Sequence, residues 1–296
     1  MTDQLPEPAF RLERVVCDLC GSDRSRLVME KRGRLWDRTF SIVRCVTCGL
    51  VYVNPRVAAD QIASLYDEAY HRGDGFDRSH DHAHDDDENP AYDATIRRVV
   101  ATLDAALGGL RGARVLDVGC GTGTLLAQLQ DAGAAAQGVE LSACARARCT
   151  QRGLSIVGLS IDDAHLPAAA YDAITATEVI EHVISPTAFL GRIRELLKPG
   201  GVFCYTTGNW HFVRHAPGTP YVMPEGHLYY FTPNTMRKYF EKAGFDVVVG
   251  VVNRTWIGYR KLPRTVADAI PAPVLLGLSH LAGDVGQYPI GRRAVR

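Results

Sequence analysis

The sequence predicts an α/β protein: a doubly wound sheet with helices on both faces, preceded by a small cysteine-bound module. Three observations carry that expectation. Strand-like apolar runs and helical repeats alternate from residue 113 to residue 243 at the spacing of βαβ units. The first of these strands, Val115-Leu116-Asp117-Val118, runs into Gly119-Cys120-Gly121-Thr122-Gly123, and an acid, Glu140, closes the next strand. Ahead of them, four of the eight cysteines stand as two C-x-x-C pairs, Cys17/Cys20 and Cys45/Cys48.

Composition narrows the class. At 296 residues there is room for one large domain and a small accessory one. A hydrophobic content of 46% and a charged content of 22% suit a soluble globular protein. Lys+Arg and Asp+Glu cancel at 33 each, which argues against a nucleic-acid partner. Residues Met1 to Phe10 are acidic and proline-bearing and do not read as a signal segment. The apolar stretch Ile270 to Leu281 carries Pro271, Pro273 and His280 and is too short for a bilayer. These features lead to the expectation of a cytoplasmic protein with no membrane association. They are silent on oligomeric state.

Each C-x-x-C pair is followed by glycine, Gly21 and Gly49, which permits the tight turn that aims two thiolates at one ion. Paired knuckles of this kind read as a tetrahedral structural zinc site. A disulfide reading is weaker, because nothing marks the chain as secreted; reduced pairs without metal are the remaining alternative. A module of some forty residues has little core of its own, and zinc binding supplies roughly 10–16 kcal/mol to such units. The 24 residues between the pairs hold strand-like alternation, Arg38-Thr39-Phe40-Ser41-Ile42-Val43, as in a zinc ribbon. Four thiolates leave no open position for substrate, so this zinc is not expected to be catalytic.

Residues 57 to 70 read as a helix, with Ile62, Leu65, Tyr66 and Ala69 at helical spacing. Tyr66 and Tyr70 share a face and either pack the ribbon onto the main domain or stand over the substrate. Ser79 to Pro90 is almost entirely Asp and His; it reads as a solvated loop, with metal binding as the alternative. From Tyr92 to Leu107 the apolar repeat Ile96, Val99, Val100, Leu103, Leu107 predicts a helix packed on the sheet. Strands are then expected near 113–118, 135–140, 155–159, 171–176 and 201–207, and helices near 122–132, 142–152, 186–197 and 233–243. Phe245 to Val252 and Thr255 to Lys261 suggest two final strands close together, followed by a docking helix or a loosely held tail.

The glycine turn separates two ligand classes. A dinucleotide fingerprint would place its third glycine at position 124 to seat a pyrophosphate; that position is Thr124. With its glycines at 119, 121 and 123, the chain resembles the class I methyltransferases that use S-adenosylmethionine (SAM). The resemblance spans roughly residues 17 to 250. It implies a Rossmann-like, mostly parallel seven-stranded sheet ending in an antiparallel hairpin. The boundaries expected are 12–56 for the ribbon, 57–110 for a helical linker and lid, 111–262 for the methyltransferase domain and 263–296 for a C-terminal tail. SAM would lie where strand order reverses, across the carboxyl ends of the strands. Expected cofactor contacts are Asp117, Gly119, Cys120, Gly121, Gly123, Glu140 on the ribose diol, Asp162 or Asp163 on the adenine amine, and Thr177. The four cysteines leading into Gly49-Leu50-Val51-Tyr52-Val53-Asn54-Pro55-Arg56 are similar to methyltransferases of sugars and other small metabolites, where the module looks like a lid or docking element. Tyr66, Tyr70 and Tyr221 are the expected substrate residues. Sugar C-methyltransferases with this ribbon usually carry a further C-terminal domain; this chain ends soon after the sheet, which favours O-transfer over C-transfer, with C- or N-methylation of a nucleotide-sugar as the alternative.

Because the sulfonium already activates the methyl group, the protein has to align an acceptor atom and remove its proton. The run Thr177-Glu178-Val179-Ile180-Glu181-His182 would, on a helix, put 178, 181 and 182 on one face. Pro224-Glu225-Gly226-His227 follows in a later loop. Three readings compete. His182 or His227 acts as base, with Glu225 or Glu181 fixing its tautomer. Alternatively, Glu178, Glu181, His182 and His227 hold a divalent cation, a set that resembles metal-assisted O-methyltransferases of ubiquinone synthesis and of small-RNA ends. In the third reading they cap helices and satisfy the core. Two further classes remain open at this level: an RNA-modifying methyltransferase and a non-catalytic SAM-binding partner subunit.

Overall fold

The alternation in the N-terminal module does build a small antiparallel sheet. In the computed structural model, which describes residues 10–66, 90–163, 165–214, 221–252 and 286–293, the chain opens with β1 (Leu12–Glu13), β2 (Ser25–Arg32), β3 (Thr39–Cys45), β4 (Val51–Val53) and β5 (Arg56–Val57). β2, β3 and β4 pair antiparallel in sequence order, and β1 closes on β5. Phe40, Ile42, Val43, Val51, Tyr52 and Val53, from both faces of this sheet, are buried in a core continuous with that of the main domain. The helix expected over 57–70 is a 3-10 segment, Ala59–Leu65, that buries Ile62 and Leu65. Ala58 at its N-cap has no side chain to hold the first amides, so no α-helical turn is nucleated there. Tyr70, the Asp/His-rich stretch and Thr255 to Lys261 lie outside the described residues.

The main domain follows the predicted alternation: α1 (Pro90–Leu107), β6 (Arg114–Val118), α2 (Thr124–Asp131), β7 (Ala135–Val139), α3 (Ala143–Gln151), β8 (Ile156–Gly158), β9 (Tyr171–Thr177), α4 (Pro186–Leu196), β10 (Leu197–Gly208), α5 (Trp210–Val213), β11 (Tyr229–Tyr230), α6 (Pro233–Ala243), β12 (Phe245–Val252) and β13 (Gly286–Arg293). Polar caps set the helix starts. Ser142 accepts from Ala145 N and Ser185 from Ala188 N, while Thr232 and Thr235 form a reciprocal capping box. The main sheet has the order β8-β7-β6-β9-β10-β13-β12, with β8 through β10 parallel. β6 lies between β7 and β9, so chain order reverses beside it. Ile96, Val99 and Leu103 of α1 pack with Leu125, Leu126 and Leu129 of α2 on one face of the sheet. Phe189, Leu190, Ile193, Met236 and Phe240 of α4 and α6 cover the other, in a core continuous with the ribbon.

One expectation needs correction. Among the described residues the last antiparallel pair is formed by β12 with β13, within the stretch expected to be a tail, and β13 lies between β10 and β12. Part of the segment assigned to a tail therefore completes the large sheet. Pro289 within β13 hides it, since proline argues against an inner strand. Among the described residues, no helix is long and apolar enough to cross a membrane.

The ribbon is bonded to the main domain at both ends. Between the first two cysteines, Asp18 accepts from Ser185 Oγ (2.5 Å), Thr187 N (2.9 Å), Thr187 Oγ1 (2.8 Å) and Tyr239 OH (3.0 Å), and so ties the knuckle to α4 and α6. Buried Arg56 donates to Glu13, Ile184 O and Tyr229 OH. β11 pairs with β4, so a strand from the main domain forms the fourth strand of the ribbon sheet.

Candidate active site

The turn after β6 has the backbone its glycines foretell. Gly119, Gly121 and Gly123 have φ of +66°, +54° and +90°, values that L side chains resist. A Cβ on Gly119 would stand 2.7 Å from Val179 Cγ2, so the turn after β9 presses directly on the glycine turn. Glu140 at the end of β7 is held by two amides: Gly121 N donates to Oε2 (3.0 Å) and Ser142 N to Oε1 (2.7 Å). Each oxygen keeps a further lone pair for a ligand hydroxyl. Burial raises the Glu140 carboxyl above its usual range, against those amide bonds. Asp117 is buried beneath the turn and accepts from Thr175 Oγ1 (2.7 Å). Burial pushes it up to about 7, offset by Thr175 and reinforced by Glu140.

The run after β9 is not helical. Glu178 sits in the left-handed region (φ +53°), and its amide is diverted to Thr206 O and Oγ1 on β10. The carboxylate and histidine still converge, because the loop 221–231 folds over them. Leu228 N and Tyr229 N donate to Glu181 O, at 2.9 and 3.2 Å. Glu181 is fully buried, and its Oε1 accepts from Tyr221 OH (2.9 Å). Burial first, then the neighbouring Glu178 carboxylate, hold Glu181 well above the usual carboxylate range. His182 Nδ1 lies 2.8 Å from Tyr66 OH and 3.1 Å from Gly226 O. The His182 and His227 rings meet edge-on with centroids 4.4 Å apart, and Tyr221 packs on His227 at 4.5 Å. One ligand atom each from Glu181, His182 and His227 lie within 4.8 Å of one another. Glu181 Oε2 is buried with no hydrogen-bond partner among the described residues. A carboxylate and two imidazoles at this spacing fit either a proton-transfer relay or a divalent cation.

Residues 91–249 match the family described as a methyltransferase domain. The chain belongs to that family. A ubiquinone biosynthesis O-methyltransferase of Cereibacter sphaeroides is 33% identical over 179 residues, covering 54% of this chain and 72% of the relative. One from Azoarcus sp. is 32% identical over 156 residues, covering 47% and 67%. Among solved structures, the Burkholderia thailandensis 1,6-didemethyltoxoflavin-N1-methyltransferase, with its substrate and S-adenosylhomocysteine bound, superposes with a TM-score of 0.54 at 19% identity, over 84% of this chain and 98% of that one. The magnesium protoporphyrin IX methyltransferase of Synechocystis PCC 6803, with SAM bound, gives 0.53 at 18%, over 80% and 99%. These two show the shared fold. The protein is a SAM-dependent methyltransferase.

In this methyltransferase the expected site residues sort into several groups. Glu140 and the three glycines line the turn at the strand ends. Cys120 lies behind that turn, where a Cβ on Gly138 would meet its Sγ at 2.6 Å. Thr177 ends β9, partly exposed. Asp163 points inward and accepts from Leu159 N (2.7 Å) and Ser160 N (3.2 Å), whereas Asp162 is exposed. Tyr66 and Tyr221 reach the Glu181–His182–His227 cluster, each through its hydroxyl. Glu225 does not reach a histidine and cannot fix a tautomer. Its Oε1 accepts the amides of Arg34 and of Leu35 (3.1 Å) at the tip of the β2–β3 hairpin. Asp18 and Arg56 were missed; an acid inside C-D-L-C and an arginine after Asn54-Pro55 carry no local signal for partners more than a hundred residues away.

The four ribbon thiols also converge. Cys17, Cys20, Cys45 and Cys48 lie mutually within 4.8 Å, with Sγ–Sγ separations of 3.4 Å for Cys17–Cys48 and 3.6 Å for Cys20–Cys45. A regular tetrahedron with Zn–S of about 2.3 Å has edges of about 3.8 Å. At Cys45, burial works against ionisation, but the amides of Cys48 and Thr47 aimed at its sulfur bring the thiol down to about 6. The donor set and its spacing fit a structural zinc ion.

Proposed function

We propose that this methyltransferase moves the methyl group of SAM to a hydroxyl of a sugar, nucleotide-sugar or related small metabolite. The observation that carries the reading is the Glu181–His182–His227 cluster, set against the cofactor turn through the contact of Val179 with Gly119. The relatives named as ubiquinone biosynthesis O-methyltransferases support transfer to oxygen. In this reading His182 Nδ1 donates to the Gly226 carbonyl, which can only accept, Tyr66 OH lies beside the same nitrogen as a second acceptor, and Nε2 is the basic nitrogen. His182 is then the base, its tautomer set by a backbone carbonyl rather than by a glutamate. The ribbon cysteines hold a structural zinc ion in this reading.

A second reading is favoured by one specific observation, the buried Glu181 Oε2 beside two imidazoles. A divalent cation held there would lower the pKa of a coordinated acceptor hydroxyl. Incubation of nucleotide-sugars, sugars and phenols with labelled SAM tests the main proposal, and label in none of them would overturn it. Dialysis against a chelator separates the two readings. Undiminished turnover removes the cation, while restoration by added magnesium or manganese removes the simple base.

A further inference from the structure

We infer that Arg26, Arg44 and Arg214 form an anion-binding lip that takes a phosphoryl group of the methyl acceptor. The inference rests on the hydroxyl-transfer reading above and narrows the acceptor to a phosphorylated one. The ribbon register places Arg26 of β2 directly opposite Arg44 of β3, Arg44 opposite Val51 of β4, and Val51 opposite Tyr230 of β11. Residues directly opposite one another share a face of the sheet. This row therefore runs from two guanidinium groups to Tyr230, whose ring lies 6.5 Å from His227 and 6.4 Å from Tyr221. Two strand spacings, about 10 Å, separate Tyr230 from Arg44. A sugar joined to a phosphate or diphosphate bridges a gap of that order. Arg214 directly follows α5, whose Trp210 ring lies 5.1 Å from Tyr230.

Like charges directly opposite in a sheet destabilise it. Here the pair is kept although Arg44 is half-buried, and the same-face neighbours Ile42 and Val53 are apolar. Among the described residues, no acid forms an ion pair with any of the three arginines. Burial, and then the charges of Arg26 and Arg214, lower the Arg44 guanidinium below its ordinary range. The chain as a whole is neutral, so this is a local concentration of positive charge and not part of a basic surface. Planar guanidinium forks suit the oxygens of a phosphate, with which they form paired charge-assisted hydrogen bonds.

The test uses the full chain saturated with S-adenosylhomocysteine, with inorganic diphosphate as the probe in calorimetry. Saturable binding that weakens with salt is expected, with Arg44→Gln and Arg214→Gln each reducing affinity about tenfold or more. Arg26→Gln, at an exposed position, repeats the test where folding is least at risk. S-adenosylhomocysteine affinity should stay unchanged in all three. Absence of diphosphate binding, or undiminished binding in every variant, overturns the inference. So does salt-sensitive retention of RNA that diphosphate fails to displace. Binding is read without turnover, so the two proposals fail separately. Transfer to a hydroxyl without diphosphate binding condemns the lip, and diphosphate binding without transfer to any hydroxyl condemns the reading of the reaction.

Discussion

Glu225→Ala should unfasten the acceptor loop from the ribbon. The side chain is fully buried, and its Oε1 is the acceptor for the amides of Arg34 and Leu35. Alanine leaves both donors without that acceptor, at about 1–3 kcal/mol each, so roughly 2–6 kcal/mol before any water enters. Water reaching the hairpin tip pulls the cost toward the lower end. For a chain of this size, each kcal/mol moves Tm by roughly 2–4 °C, so a fall on the order of 5–10 °C is expected by scanning calorimetry. His227 lies two residues along the same loop, so kcat should fall as well. S-adenosylhomocysteine affinity should hold, because Glu140 and the glycine turn belong to other strand ends. Glu225→Gln keeps an acceptor oxygen and should recover most of both losses. The same joint can be attacked from the ribbon: a Cβ at Gly33 would collide with Glu225 Oε1. Gly33→Ala should therefore reproduce the defect, and the double variant should be little worse than either single one. Equal damage from the glutamine and alanine variants, or strictly additive losses with Gly33→Ala, would refute the reasoning.

Three further outcomes are expected. Glu140→Ala should weaken S-adenosylhomocysteine at least about tenfold in calorimetry if Glu140 holds the ribose, since it removes that carboxylate and frees the Gly121 and Ser142 amides; unchanged affinity would count against Glu140 as a cofactor residue. Asp117 is raised from 3.8 to about 7 mainly by burial, so the folded state keeps a proton that the unfolded chain releases. Its contribution to stability is lost as pH rises from about 4 through about 7, and Asp117→Asn should flatten the fall in Tm over that same window; an identical slope in the variant would exclude Asp117 as its source. Cys20→Ser should release zinc by elemental analysis and lower kcat while leaving S-adenosylhomocysteine binding intact, and full activity without zinc would detach the ribbon from catalysis.

Local chemistry made the cofactor half of the molecule legible. Val115 to Gly123 encodes a strand and a glycine turn within nine residues, and Ser142, Ser185 and Thr232 announce their helices through their own side chains. The same logic failed wherever a distant partner decides the outcome. The repeat over 57–70 is periodic but lacks a capping side chain, so a 3-10 segment forms instead. Glu178 to His182 has helical spacing, yet the Glu178 amide is captured by Thr206 of β10 and the backbone turns left-handed. β13 carries a proline in an inner strand, which no reading of propensity would accept. Glu225 stands two residues from a histidine in sequence but bonds to a hairpin some 190 positions earlier.

These misses share a consequence for how the enzyme is built. β11 pairs with β4, Glu225 grips the β2–β3 tip, and Asp18 ties the knuckle to α4 and α6, so the loop 221–231 is shared by both modules. Two backbone amides of that loop also end on Glu181 O, which links the ribbon to the turn after β9. Motion of the ribbon as a free lid would have to break β-pairing and two carboxylate anchors at once, half-buried Asp18 and fully buried Glu225, each costing of order a kcal/mol per hydrogen bond. Under the function proposed above, the ribbon is then a fixed wall of the acceptor site. Acceptor entry in that reading comes from elements not bound into this wall, and variants that loosen it should lower kcat and alter acceptor KM without touching the cofactor.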